Sequence, residues 1–210
     1  MTDTGQARVR SDAGGASGRS RSPAVSLPNI LTYGRIAAIP AIIVLLFPGD
    51  DFGRWLALAV YVVASVTDFL DGYLARIWQQ QSSLGRMLDP IADKLLVATV
   101  ILMLVADGTI GGWSLLAAIV ILCREVLVSG LREFLAEVQV GMPVTRLAKW
   151  KTAVQMIALG FLILGPAGGR IIPYAVEIGL TLLWVAALVT IYTGYDYLRA
   201  GLRHAMEEDA

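Results

Sequence analysis

The sequence predicts an all-α integral membrane protein with six transmembrane helices. Of its 210 residues, 56% are hydrophobic and only 16% are charged, and the mean hydropathy is +0.66. A water-soluble domain carries a larger share of charged residues. The apolar residues also form unbroken runs of about twenty residues, the length that an α-helix needs to cross about 30 Å of hydrocarbon. Such runs exclude a transmembrane β-barrel, whose strands alternate in polarity.

Six apolar segments follow one another along the chain, each ended by a short stretch of turn-forming residues. The predicted helices cover about residues 29–48, 54–76, 84–106, 112–136, 147–166 and 171–198. The separating stretches are FPGDDFG at 47–53, QQQSS at 79–83, ADGTIGG at 106–112, QVGMP at 139–143 and GPAGG at 165–169. Most are rich in glycine or proline, which favour turns. An even number of spans places both termini on the same side of the membrane.

The two ends of the chain differ from this central region. Residues 1–25 are rich in Gly, Ser and Arg and contain few large apolar side chains, so we expect a disordered tail. They also lack the short apolar core of a secretory signal peptide. Residues 201–210 are expected to form a short polar tail, which leaves the six-helix domain at 26–200.

The positions of the basic residues predict the orientation. Only Arg54 and Arg170, of 17 Lys and Arg residues, border the first, third and fifth turns. Because positively charged flanks remain on the cytoplasmic side, both termini are predicted to be cytoplasmic. A multi-pass protein of the inner (cytoplasmic) membrane is therefore expected.

Composition also limits the chemistry. The net charge is zero, with 17 basic and 17 acidic residues, and so gives no indication of nucleic-acid binding. The single cysteine, Cys123, excludes an intrachain disulfide and a multi-cysteine metal site. The single histidine, His204, lies in the C-terminal tail. Catalysis inside the membrane region would therefore depend on carboxylates.

Four aspartates lie within predicted spans two and three: Asp68, Asp71, Asp89 and Asp93. Each carboxylate inside a bilayer costs about 2.5–3.5 kcal/mol, so four of them indicate a function. Helical spacing places the first two on one face of a helix and the last two on one face of the next. In an antiparallel hairpin they would meet at similar depth. Such a cluster must protonate or bind cations, and an all-oxygen shell selects Mg²⁺ or Mn²⁺.

Small and basic residues accompany these acids. Gly72 and Gly85 share the acidic faces, where the missing side chains leave room for a ligand. Arg76 adds a positive charge near the cytoplasmic end. A diphosphate bridged by divalent ions fits this layout.

The string from Asp68 to Asp93 matches the pattern D-x2-D-G-x2-A-R-x8-G-x3-D-x3-D at all eight specified positions. It resembles the signature of the CDP-alcohol phosphatidyltransferases. Three further segments, LPNILTYGRI at 27–36, CREVLVSGLREFLAE at 123–137 and AKWKTAVQM at 148–156, look like the bacterial phosphatidylglycerophosphate synthases of that family. The resemblance implies the CDP-alcohol phosphotransferase fold, a homodimer, and transfer of a phosphatidyl group from CDP-diacylglycerol to an alcohol with release of CMP.

The resemblance also implies roles for individual residues. Asp68, Asp71, Asp89 and Asp93 would hold two divalent ions, Mg²⁺ or Mn²⁺, and Asp93 would also act as the general base. The active site would face the cytoplasm. The residues that would border CDP-diacylglycerol are Asn29, Thr32, Arg35, Gly72, Ala75, Arg76, Ser82 and Gly85.

Four basic residues of spans four and five form a candidate site for the acceptor phosphate. They are Arg124, Arg132, Lys149 and Lys151. This basic group suits a phosphorylated acceptor, which the resemblance narrows to glycerol 3-phosphate. The alternative is that these residues set the orientation in the membrane and pair with Glu125, Glu133 or Glu137.

Other functions remain open at this point. Within the same family, the acceptor could be inositol phosphate, serine or phosphatidylglycerol. Outside it, the aspartates could form a buried polar network, or the ion pathway of a small membrane transporter. A structural lipid-binding protein is a further alternative.

Overall fold

A computed structural model describes the backbone of residues 27–78, 83–137 and 146–208, and the side chains of 30–68, 87–135, 147 and 149–195. The described residues form six helices and no strand. The helices are α1 (Leu27–Leu46), α2 (Asp51–Trp78), α3 (Ser83–Ala106), α4 (Ser114–Glu137), α5 (Arg146–Gly168) and α6 (Ala175–Glu208). Each coincides with one predicted apolar segment, so the all-helical prediction is confirmed.

The helix ends differ from the prediction in two places. Helix α5 continues through the predicted GPAGG turn to Gly168, with a kink at Gly165, where φ is 51° and ψ is −138°. Helix α6 continues to Glu208, so most of the predicted polar tail is helical. The predicted disordered tail at 1–25 and the QVGMP stretch lie outside the described residues.

Helix α1 lies at the centre of one half of the bundle and packs against both α2 and α3. In the other half, α5 packs extensively on α6, and α4 also packs on α6. Contacts between α2 and α5 join the halves. Alanines are buried at these contacts, including Ala57, Ala117, Ala158 and Ala186. Small side chains allow membrane helices to approach closely, as is typical of helix interfaces in lipid.

Three helical segments are long and apolar enough to cross a membrane: Ser114–Leu135, Lys149–Gly168 and Ala175–Tyr195. Much of their apolar surface faces outward, as at Val126, Leu188 and Ile191, each more than half exposed. A soluble monomer rarely exposes so much apolar surface, whereas lipid favours it. The chain is therefore a membrane protein.

At one end of the bundle, a buried arginine joins α2, α5 and the α3–α4 turn. The Arg54 guanidinium donates to the Ile163 carbonyl at 3.1 Å and pairs with Asp107 at 2.5 Å. It also approaches the Thr109 hydroxyl at 3.4 Å. A buried charge is stable only when paired and hydrogen-bonded, and Arg54 meets that condition. This group, Arg54 with Asp107 and the Ile163 carbonyl, is called the Arg54 clamp below.

Candidate active site

A cavity of about 390 Å³ opens between α2, α3 and α4, at the end of α2 opposite the Arg54 clamp. Its lining is strongly charged. The carboxylates around it are Asp68, Asp89, Asp93, Glu125 and Glu133, and the cations are Lys94, Arg124 and Arg132. The aspartates of α2 and α3 form what is called the acidic side below. Arg124 and Arg132 of α4, which lie beside Glu125 and Glu133, form what is called the basic side.

Three of the four predicted aspartates meet at this cavity. Asp68 comes from α2, and Asp89 and Asp93 come from α3, one helical turn apart. Asp71 lies in α2, but its side chain is outside the described part. Asp68 and Asp93, which the predicted hairpin places at similar depth, both line this cavity. Their roles as metal ligands and base remain predictions.

Helix α1 supplies two buried polar partners for these acids. The Arg35 guanidinium pairs with Asp68 at 2.8 Å, and the Thr32 hydroxyl donates to Asp89 Oδ1. Both α1 residues are 1% exposed. Because they lie three residues apart, they project from nearly the same face of α1, which packs against α2 and α3. Thr32 and Arg35 therefore orient the carboxylates, and their predicted contact with the lipid donor stays a prediction.

The acidic side can offer a cation only carboxylate oxygens among its described charged side chains. Carboxylate oxygens with no His or Cys nearby suit hard ions such as Mg²⁺ or Mn²⁺. Among the side chains that the structure describes, no group of three His, Cys, Asp or Glu residues is close enough to hold one ion. The carboxylate chemistry suits a divalent ion, but Asp68, Asp89 and Asp93 alone do not form such a group. The predicted ligand set also includes Asp71, whose side chain lies outside the described part.

The four predicted acceptor-phosphate residues separate in the structure. Arg124 and Arg132 line the cavity. Lys149 is exposed and is not among the lining residues. Lys151 is 2% exposed and lies behind the lining, where its ammonium pairs with Glu125. The alternative interpretation, pairing with Glu125, therefore describes Lys151 and also Arg124, which approaches Glu125 at 3.4 Å.

Three charged residues that line this cavity were not among the predicted site residues: Lys94, Glu125 and Glu133. Lys94 pairs with both Glu125 and Asp93, the latter at 3.4 Å, and Glu125 is 5% exposed. A signal for all three was present in the sequence, because each is a charged residue inside a predicted span and adjoins a predicted site residue.

Six predicted residues bordering the donor have side chains outside the described part, and no contact is assigned to them. They are Asn29, Gly72, Ala75, Arg76, Ser82 and Gly85.

A second cavity, of about 610 Å³, lies along α1 and α2 and is lined almost entirely by apolar residues. It extends from Ala38 and Ala59 to Thr67, the residue before Asp68. Thr67 lines the apolar cavity, and the next residue, Asp68, lines the charged cavity.

Comparison with known proteins gives one consistent result. The sequence model of the CDP-alcohol phosphatidyltransferase family matches residues 25–192. A protein of Rickettsia bellii, named CDP-diacylglycerol–glycerol-3-phosphate 3-phosphatidyltransferase, is 51% identical over 175 residues, which are 83% of this chain and 94% of that protein. Proteins with the same name from Cereibacter sphaeroides and Haemophilus influenzae are 39% and 35% identical, over 87% and 83% of this chain and 98% and 92% of their own.

Proposed function

Because the chain belongs to the CDP-alcohol phosphatidyltransferase family, we propose that it transfers the phosphatidyl group of CDP-diacylglycerol to sn-glycerol 3-phosphate, giving phosphatidylglycerophosphate and CMP. It is accordingly a transferase of phospholipid biosynthesis. The observation that carries this proposal is the charged cavity, in which carboxylates from α2 and α3 face arginines from α4. The names of the relatives agree with it.

The basic side of the cavity supports a phosphorylated acceptor. Arg124 and Arg132 offer guanidinium groups, which bind phosphate oxygens in pairs, and Lys94 adds an ammonium. Serine carries no phosphate that these cations could bind. Inositol phosphate would satisfy it equally well, so glycerol 3-phosphate is preferred because the relatives carry that name.

We propose that Asp68, Asp71, Asp89 and Asp93 hold two divalent ions, Mg²⁺ or Mn²⁺. Bound ions of this kind offset the charge of a diphosphate and stabilise the departing phosphate. The protein contributes oriented ligands, because Arg35 holds Asp68 and Thr32 holds Asp89. Preorganised carboxylates need no rearrangement when the donor binds.

The transfer itself is an in-line displacement. Asp93 accepts the proton of the acceptor's primary hydroxyl, and that oxygen forms a bond to the lipid-side phosphorus of the donor. The bond from this phosphorus to the bridging oxygen breaks, and CMP leaves with the electron pair. Arg124 and Arg132 hold the acceptor phosphate throughout. No covalent enzyme intermediate is required.

The apolar cavity along α1 and α2 supports a lipid donor. Its polar end at Thr67 adjoins Asp68, and the rest is lined by aliphatic residues. A diacylglycerol chain placed there would put the diphosphate at the acidic side of the charged cavity. The burial of apolar surface favours this placement.

We further propose that all six helices cross the inner membrane, with both termini and the charged cavity on the cytoplasmic side. The distribution of Lys and Arg supports this orientation. We propose a domain at 26–200 between an N-terminal tail and a short C-terminal extension, and a homodimer in the membrane, as the family resemblance implies.

The test uses purified full-length protein in detergent with CDP-diacylglycerol and Mg²⁺. Glycerol 3-phosphate, inositol phosphate, serine and phosphatidylglycerol are offered separately, and CMP and the lipid product are measured. We expect CMP release with glycerol 3-phosphate alone. Release only with another acceptor would refute the acceptor assignment, and no release with any acceptor would favour a transporter or lipid-binding protein.

One substitution separates the enzyme from those alternatives. Asp93→Asn keeps the size of the side chain but removes the base, so we expect CMP release to fall by about 10²–10⁴-fold. The protein should elute as the wild type does in size-exclusion chromatography. An unchanged rate would contradict the assignment of the base.

A further inference from the structure

Glu125 lies where cations from three helices converge. Its Oε2 accepts from Lys94 of α3, and its Oε1 accepts from Lys151 of α5. Arg124, its neighbour on α4, approaches Oε1 at 3.4 Å. One carboxylate is therefore shared by three positively charged side chains.

The two lysines differ in their access to the cavity. Lys151 is 2% exposed and lies behind the lining, so its charge is offset by Glu125 within the bundle. The Lys94 side chain is 32% exposed and lines the cavity. Lys94 therefore presents its ammonium at the cavity wall, where Arg124 and Arg132 also lie. An anionic group that enters this part of the cavity meets three cationic side chains.

Lys94 is also fixed between the two sides of the cavity. Its ammonium contacts Glu125 on the basic side and lies 3.4 Å from Asp93 on the acidic side. A lysine side chain has four rotatable bonds and is normally flexible, and anchoring it reduces the entropy lost when a ligand binds. An ammonium held beside Asp93 can bind an acceptor phosphate while the hydroxyl of the same molecule reaches Asp93.

We propose that Glu125 is a positioning residue for the acceptor: it holds the Lys94 ammonium at the cavity wall, where that ammonium binds the acceptor phosphate. Lys151 orients the Glu125 carboxylate from behind. The inference rests on the proposed function and adds to it a phosphate-binding lysine and the carboxylate that places it.

The experiment compares Glu125→Gln, Lys94→Gln and the double variant by steady-state kinetics of CMP release. Glycerol 3-phosphate is varied at saturating CDP-diacylglycerol. In a second series, CDP-diacylglycerol is varied at saturating glycerol 3-phosphate. Each single variant should raise KM for glycerol 3-phosphate about tenfold or more, because a charged hydrogen bond is lost. KM for CDP-diacylglycerol should change less than twofold. A merely structural role would change both.

The double variant tests whether Glu125 acts through Lys94. If it does, Glu125→Gln adds little in the Lys94→Gln background, and the double variant has nearly the KM of Lys94→Gln alone. A further tenfold rise in that background would overturn the proposal. The matched control is Glu177→Gln, the same substitution at an exposed position in the first turn of α6, which should leave both KM values unchanged.

Lys94→Gln keeps the test decisive if Glu125→Gln does not fold. Lys94 is partly exposed, so its replacement leaves the buried Glu125–Lys151 pair intact. An unchanged KM for glycerol 3-phosphate in this variant would by itself overturn the inference while the wild-type activity stands. Wild-type protein that released no CMP with glycerol 3-phosphate would instead overturn the proposed function, and the acceptor role of Lys94 with it.

Discussion

Replacing Gly165 by alanine introduces a methyl group against the Arg54 clamp. A Cβ atom at this position would lie 2.4 Å from Arg54 Nη1 and 3.1 Å from Cζ. The backbone of Gly165, with φ at 51° and ψ at −138°, also lies in a region that only glycine adopts readily. Gly165→Ala should therefore destabilise the protein by two separate effects.

The backbone effect costs about 1–3 kcal/mol, as for other residues held in sparsely populated conformations. The steric effect displaces a guanidinium that is held by Asp107 and the Ile163 carbonyl. Loss of one such charged hydrogen bond costs about 1.5–3 kcal/mol. The total of about 2.5–6 kcal/mol corresponds to a midpoint lowered by at least about 5 °C for a chain of this size.

Thermal unfolding in detergent measures this effect, and Gly160→Ala is the matched control. Gly160 lies in the same helix, and its Cβ would meet only Leu58 Cδ1, at 3.6 Å. Alanine favours the helix over glycine by up to about 1 kcal/mol, so this control should unfold at the same temperature or slightly higher.

The Arg54→Met background separates the two effects. Without the guanidinium, Gly165→Ala should retain only the backbone cost of about 1–3 kcal/mol. The reasoning is refuted if Gly165→Ala unfolds at the same midpoint as Gly160→Ala. It is also refuted if the Arg54→Met background leaves the full effect in place.

Three further results are expected. Thr32→Val removes the hydroxyl that donates to Asp89 and should lower kcat of CMP release about tenfold, since one charged hydrogen bond is lost; an unchanged kcat would show that Asp89 needs no such partner. Arg54→Met removes the guanidinium that pairs with Asp107, whose carboxylate still accepts from the Thr109 N–H at 2.8 Å, and should cost about 1.5–3 kcal/mol in thermal unfolding. CMP release should be retained at low temperature; loss of activity in folded protein would contradict a purely structural role. Chelation should abolish CMP release, and added Mg²⁺ or Mn²⁺ should restore it; activity that persists in excess chelator would count against the proposed ions.

Much of the helical architecture could be predicted, because apolar runs and breaker residues are local signals. The Gly165–Pro166 pair shows the limit of such signals. Both residues disfavour a helix, and the sequence therefore predicts a turn there. In the structure the helix continues with a kink, since the glycine allows Arg54 to approach the backbone of α5. That contact joins residues far apart in the chain, and no local pattern reveals it.

Part of the candidate site could also be predicted from local signals in the sequence. Helical spacing and equal depth indicated that Asp68 and Asp93 would meet, and both line the charged cavity. Periodicity assigns residues to faces but does not identify which helix packs on a given face. The contacts of Thr32 and Arg35 with the acids follow from the packing of α1 on α2 and α3, which the predicted hairpin did not include.

The charged residues near the two ends of α2 and α3 are separated by the same number of residues in both parts of the chain. Arg54 and Asp68 lie 14 residues apart on α2, about 21 Å along the helix. Asp107, the residue that follows the end of α3, also lies 14 residues from Asp93. Because Arg54 pairs with Asp107 at one end, antiparallel helices of equal spacing bring Asp68 and Asp93 to the same depth at the other. A shift of one helical turn between α2 and α3 would break the Arg54 clamp and separate the acids by about 5.4 Å. The clamp therefore stabilises the register on which the charged cavity depends.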